Sequence, residues 1–189
     1  MVKAVFRCCL YLPLGLAMTI LSYFLAPLVV LTAREDGYLP HSLRIFQTPD
    51  NSLDGDRGWR TKHRLFRSSP QVDEGWRRWV NRWLWLWRNP AHGFKREYLG
   101  FRPAAGYAYS FSGDQATGNR PLHEGWVFRK AVNLDEKTAF QFYLVHAWSE
   151  TRCLRINLGW KLWANPKVGA DAQHVCSINP FMGCEVKNA

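Results

Sequence analysis

Residues 8–33 form a run of 26 without a single charged side chain, and this limits what the N-terminal part of the chain can fold into. At 1.5 Å per residue, a helix over the run reaches about 39 Å, more than the roughly 30 Å hydrocarbon core of a bilayer. Lys3 and Arg7 precede it and Arg34 follows it. A secretory signal has an apolar stretch of about 7–15 residues and a cleavage site of small residues. This run is longer, and Leu31 occupies the position that would have to be small. The pattern therefore predicts a retained, transmembrane-type helix within residues 1–34. Pro13 suits a first helical turn and Pro27 a kink, which membrane helices tolerate. The competing possibility is an apolar helix enclosed by other protein.

The remaining 155 or so residues, at the scale of about 100–150 residues per domain, are enough for one ordinary domain. The net charge of +10 is unevenly spread. Residues 57–102 hold 12 Lys and Arg against 3 Asp and Glu, and six of the ten Trp. The segment 103–189 is nearly balanced, with 9 against 7. Positive residues flank the apolar run about equally, so the distal basic cluster gives only a slight lean toward a cytoplasmic body. Cys8 and Cys9 sit inside the apolar run as small hydrophobes or acylation candidates. Cys153, Cys176 and Cys184 have no metal-ligand spacing, and a Cys176–Cys184 bridge depends on the compartment.

Residues 35–69 read as an irregular connector rich in turn formers. Within it, Asp50, Ser52, Asp54 and Asp56 follow the opening of an EF-hand loop, with Gly55 between them. Such a loop takes a bidentate Glu at its twelfth position, and Thr61 stands there. Calcium remains a candidate ligand on this spacing only, and Asx turns explain the same residues without metal. No cofactor is expected.

A helix over 70–88 is well signalled. Ser69 can cap it, Pro70 fits the first turn, Asp73 and Glu74 lie at its positive end, and Pro90 stops it. Trp76, Trp79, Trp83 and Trp87 share one sector at 100° per residue, and Arg77, Arg78 and Arg82 lie on the other side. Trp85 alone is off the apolar sector. These Trp and Arg residues are the candidate contacts with a membrane surface or a partner protein; the alternative is packing on a sheet with the Arg face solvated. Nucleic acid is not expected, because Trp and Arg point to opposite sides and cannot grip one strand together.

From about residue 106 the period becomes that of strands. Segments 107–112, 126–132, 140–148, 153–163 and 174–178 predict about five, with 149–152 as a hairpin turn and Gly159 as a bulge or bend. The fold class is α+β: the N-terminal helix, then the Trp/Arg helix packed on a five-stranded antiparallel sheet, all within a body spanning 70–189. The six His are scattered. Ser110, Asp135 and His146 make a triad only on paper, and Glu124 and Glu150 are the remaining acid candidates, so no enzymatic activity is expected.

FQTPDNSLDGD (46–56), set after the apolar N-terminus and before NPAHGF (89–94) and LGWKL (158–162), resembles a group of short uncharacterised proteins encoded by tailed bacteriophages. The resemblance implies a phage-encoded protein without an assigned activity, and it transfers no functional residues. The expectation is a single-span protein of the host inner membrane that binds the bilayer, another protein or copies of itself. The alternative is a tail-associated virion component with its N-terminus buried or inserted into a membrane.

Overall fold

The computed structural model describes residues 1–62, 75–118, 123–163 and 167–183. Helix α1 covers Val2–Val30, followed by a 3₁₀ turn at His41–Phe46 and helices α2 (Arg57–Lys62), α3 (Gly75–Arg88) and α4 (His92–Glu97). Strands β1 (Ala108–Gly113), β2 (Gly125–Val132), β3 (Thr138–Ser149), β4 (Arg152–Trp160) and β5 (His174–Gly183) follow. They form one antiparallel sheet in the order β1-β2-β3-β4-β5. The fold is α+β, with an N-terminal apolar helix and a five-stranded meander. The helix-start signals at Ser69, Pro70, Asp73 and Glu74, and Cys184, lie outside the described residues.

The chain forms two compact units. Unit 1 combines residues 1–12 with 99–189; unit 2 is 13–98. These limits cut across the segments that composition suggests, because each unit takes part of α1 into its own packing.

In unit 1 the sheet register sorts side chains into two unlike faces. One carries the rows Phe128–Phe142–Leu158–Cys176 and Trp126–Leu144–Ile156–Ile178 across β2 to β5. The next row, Lys130–Phe140–Trp160–His174, receives the start of α1. Tyr11 meets Trp160 and His174 edge-on, and the Cys8 thiol lies 3.4 Å from His174 Nε2. Arg7 stacks over Trp160 and donates to the Thr138 carbonyl at 2.5 Å. The opposite face presents Arg129, Gln141, Asn157 and Tyr143 among Val127, Val145 and Cys153, all buried. Loop 114–118 and the chain at Leu162 close over this polar face.

Gly159 is not at a bulge. It pairs with Gln141 on one side and Val175 on the other. Its φ of +98° and a Phe140 carbonyl only 2.1 Å from where a Cβ would stand explain the residue: two backbones approach too closely for a side chain. The sheet's shifts in register fall instead between Ala147 and Ser149 and between Cys153 and Arg155.

Unit 2 is built around α3. Ala26, Val29 and Val30 of α1 cluster with Leu39, Phe46, Leu53, Trp59, Trp85 and Leu86. The FQTPDNSLDGD segment ties the connector together. Buried Gln47 accepts from Leu39 N–H at 2.8 Å and donates to the Asn51 carbonyl at 3.0 Å, while Leu53 N–H donates to the Gly37 carbonyl at 2.7 Å. Asp56 caps α2 by accepting from Trp59 N–H at 2.6 Å.

Candidate functional site

The expected contact residues of α3 are largely engaged inside unit 2. Trp79 Nε1 donates to the Pro27 carbonyl and Trp87 Nε1 to the Tyr23 carbonyl, both at 3.0 Å. The proline explains the second bond. A helical residue 27 would offer its N–H to the Tyr23 carbonyl, and proline has none, so that acceptor is free for an indole. The Pro27 carbonyl is among the last of α1 and lacks a partner within the helix, since Leu31 N–H turns to Leu28. Trp83 packs between these two, with ring centroids 5.2 Å from Trp79 and 5.0 Å from Trp87. Trp76 is the exception, 69% exposed with Arg77 beside its ring.

The Arg side of α3 is the one place where the helix pattern misleads. Arg82 is buried, not solvated, and donates to Asp54 through Nε at 2.7 Å and Nη2 at 3.1 Å. Arg78 adds a longer pair with the same carboxylate at 3.5 Å and donates to the Glu35 carbonyl at 2.9 Å. Burial pushes the Asp54 carboxyl up, but its hydrogen bonds to Arg82 and Arg78 and their charges outweigh that and hold it below the usual range. Trp85, off the apolar sector by phase, is 3% exposed and packs edge-on against Trp59. It fills the same buried side as Asn81, whose Oδ1 accepts from Trp59 Nε1 at 2.9 Å.

The oxygen set considered for calcium is dispersed among other partners. Asp54 serves Arg82, Asp50 pairs with Arg96 at 2.5 Å, Asp56 caps α2, and the Ser52 carbonyl accepts from Gly55 N–H in a turn. Among the described residues no three His, Cys, Asp or Glu side chains are grouped so as to hold a metal ion. The register places Ser110 opposite Lys130 and His146 opposite Leu154, and His146 faces Glu124 at 3.6 Å in an exposed position.

The surface that stands out is on α1. Its buried residues are mostly small: Ala4, Cys8, Gly15, Ser22 and Ala26, with Val29 and Val30. At 100° per residue these fall in a sector of about 100°. The opposite side exposes Phe6, Leu10, Leu14, Ile20, Leu21, Phe24, Leu28 and Leu31. The few hydroxyls are satisfied within the helix, Thr19 to Gly15 and Ser22 to Met18. In water the largest apolar side chains belong inside. Here the small ones meet protein and the large ones face out, the arrangement expected of helices whose other solvent is lipid. Sequence reasoning found the apolar run but not this division, which the low contrast around the helix hides.

The sequence model of a family described as "Family of unknown function (DUF7338)" matches residues 1–185. The chain belongs to this family. No curated protein and no solved structure matches it. The family match begins at residue 1, so α1 is part of the family's pattern together with the connector, α3 and all five strands.

Proposed function

We propose that this DUF7338 protein is a membrane-bound binding protein that performs no catalysis, and that the outward side of α1 is its lipid contact. The supporting observation is the inverted distribution on α1, with small residues against protein and Phe6, Leu10, Leu21, Phe24 and Leu28 outside. The resemblance to tailed-phage proteins adds the setting, the inner membrane of an infected host. The mode differs from a free single span. Unit 1 uses Ala4, Cys8 and Tyr11, and unit 2 uses Ala26, Val29 and Val30, so both ends of α1 carry packed protein. Fourteen residues lie between Tyr11 and Ala26, about 21 Å of helix, too few to cross a core of about 30 Å. Helix α1 lies in the interface, its outer side among the acyl chains and its inner stripe on the protein.

Labelling depth tests this. In full-length protein with native cysteines replaced by alanine, single cysteines at Phe6, Leu14, Leu21 and Leu28 carry a fluorophore in lipid vesicles containing depth-graded quenchers. An interfacial helix gives four similar, shallow depths; a span gives a deep middle and shallow ends. Labels that remain in water, or wild-type protein that is monomeric and soluble without detergent, overturn the membrane reading. Stoichiometric copies in purified phage particles, with none in infected-cell membranes, point instead to the tail-associated virion component.

A further inference from the structure

One face of the sheet in unit 1 is only partly covered. The row Lys130–Phe140–Trp160–His174 receives the start of α1, and beside it lie Phe128–Phe142–Leu158–Cys176 and then Trp126–Leu144–Ile156–Ile178. The eight side chains of these two rows carry no charge. Trp126 is 48% exposed and Ile178 63%, Cys176 is exposed, and the other five are half-buried. The border is polar. Ser110 and Ser112 lie along β1, and the exposed His146–Glu124 pair stands at the far end.

Residues 1–12 of α1 pack on this same face, so their outward side looks in the direction of the bare rows. Cys8 and Tyr11 meet His174 and Trp160. Val2, Phe6 and Leu10 are exposed, on the opposite side of the helix at 100° per residue. Helix and sheet therefore make a step. Its wall is the start of α1, and its floor is the two apolar rows, about one helix diameter, or 10 Å, behind Phe6 and Leu10.

A second copy of the chain is a poor occupant. Four strands about 4.8 Å apart and two rows about 7 Å apart give a floor of roughly 300 Å², against about 800 Å² per partner in a stable dimer. Acyl chains need no such area, because they belong to a continuous apolar solvent and conform to a step of any shape. The lip of the step, Phe6 and Leu10, is already part of the side of α1 proposed to meet lipid.

We propose that acyl chains of the bilayer fill this step, making the sheet face of unit 1 a second lipid contact. The proposal rests on the lipid contact of α1. It places Trp126, Cys176 and Ile178 up to about 10 Å shallower than Phe6, near the boundary of acyl chains and head groups that tryptophan favours.

The test reads Cys176, which is already on the floor. In full-length protein with the other cysteines replaced by alanine, a fluorophore on Cys176 is followed in vesicles of phosphatidylcholine and phosphatidylglycerol. Phe6→Cys, in a background without native cysteines, is labelled in parallel. Shallow lipid-borne quenchers reach the Cys176 label and aqueous iodide does not, while the Phe6 label is quenched at greater depth. Trp126→Ser combined with Ile178→Ser weakens vesicle partitioning about tenfold, and the thermal midpoint holds because both side chains are exposed. Should that variant fail to fold, the Cys176 label decides alone. A Phe6 label quenched from lipid beside a Cys176 label open to iodide overturns this proposal and leaves the α1 reading standing; both labels open to iodide overturn both. Unchanged partitioning of the folded serine variant overturns the proposal too. So does a Cys176 label shielded from both quenchers, which assigns a second copy where dilution into excess lipid restores quenching.

Discussion

Asp54 shows how a single carboxylate can organise a unit of this size. It is held by two bonds from Arg82 and a longer one from Arg78, and all three side chains belong to unit 2. Removing one member of such a pair leaves the other buried and uncompensated, so Asp54→Asn should cost about 3 kcal/mol at neutral pH, measured by urea unfolding. The sign with pH follows from the depressed native pKa. The stabilisation is complete above the unfolded value of 3.8 and is lost as pH falls through the lower, native one. The wild type should therefore lose stability below pH 4 more steeply than Asp54→Asn. Lys161 runs the other way. Its native pKa is lowered below 10.5, so between the two values the unfolded chain binds more protons and stability rises with pH. That alkaline gain should be smaller in Lys161→Met when urea midpoints are compared across the range. Gly93 makes a steric case: a Cβ there would stand 2.2 Å from the Arg44 carbonyl oxygen. Gly93→Ala should lower the unfolding free energy by about 2 kcal/mol, since the backbones of α4 and the 3₁₀ turn must part.

Between elements, the contact of α1 with α3 rests on acceptors that a proline frees. Trp87→Phe removes the donor to the Tyr23 carbonyl together with part of the ring that meets Tyr23 and Trp83, and should cost about 1–2 kcal/mol. In a Pro27→Ala background the helix regains its own N–H for that carbonyl, so Trp87→Phe should cost clearly less there. A double-mutant cycle reads the difference, and equal costs in both backgrounds would remove the proline from the explanation. The sequence shows the members of this contact but not their pairing. The strands were legible because period-2 alternation and turn residues are local: β1 to β5 fall within a few residues of the segments that alternation marks. The division of α1 was not legible, since a helix apolar on every side has no phase to measure. Arg82 misleads for a related reason. A charged side chain in a helical pattern reads as solvated unless its counter-ion is known, and Asp54 lies 28 residues earlier in a stretch that reads as loop. The buried polar face of the sheet was hidden likewise, because Arg129, Gln141 and Asn157 in alternating strands resemble an ordinary solvated side until the loop at 114–118 and the chain at Leu162 are seen to close over it.

For the whole molecule, α1 is a structural member of both units and, under the function we propose, a lipid contact, and the two roles can be separated. Deleting residues 1–34 takes Cys8 and Tyr11 from the packing around Trp160 and His174, and Ala26, Val29 and Val30 from the cluster around Leu39, Leu53 and Trp85. At about 1–2 kcal/mol for each buried side chain, the loss approaches the 5–15 kcal/mol net stability of a domain. The deletion should therefore yield no folded soluble body: its near-UV circular dichroism, dominated here by tryptophan, should collapse and limited proteolysis should cut throughout. Leu10, Leu21, Phe24 and Leu28 replaced together by serine should behave differently. Those side chains are exposed, so the tryptophan signal should persist while the protein leaves the membrane fraction. If the deletion keeps a native tryptophan signal, α1 is an appendage and its small-residue stripe does not hold the fold. If the serine variant stays with the membrane, the outward side is not what holds the protein there. Only a helix that packs with one side and partitions with the other gives collapse in the first protein and release in the second.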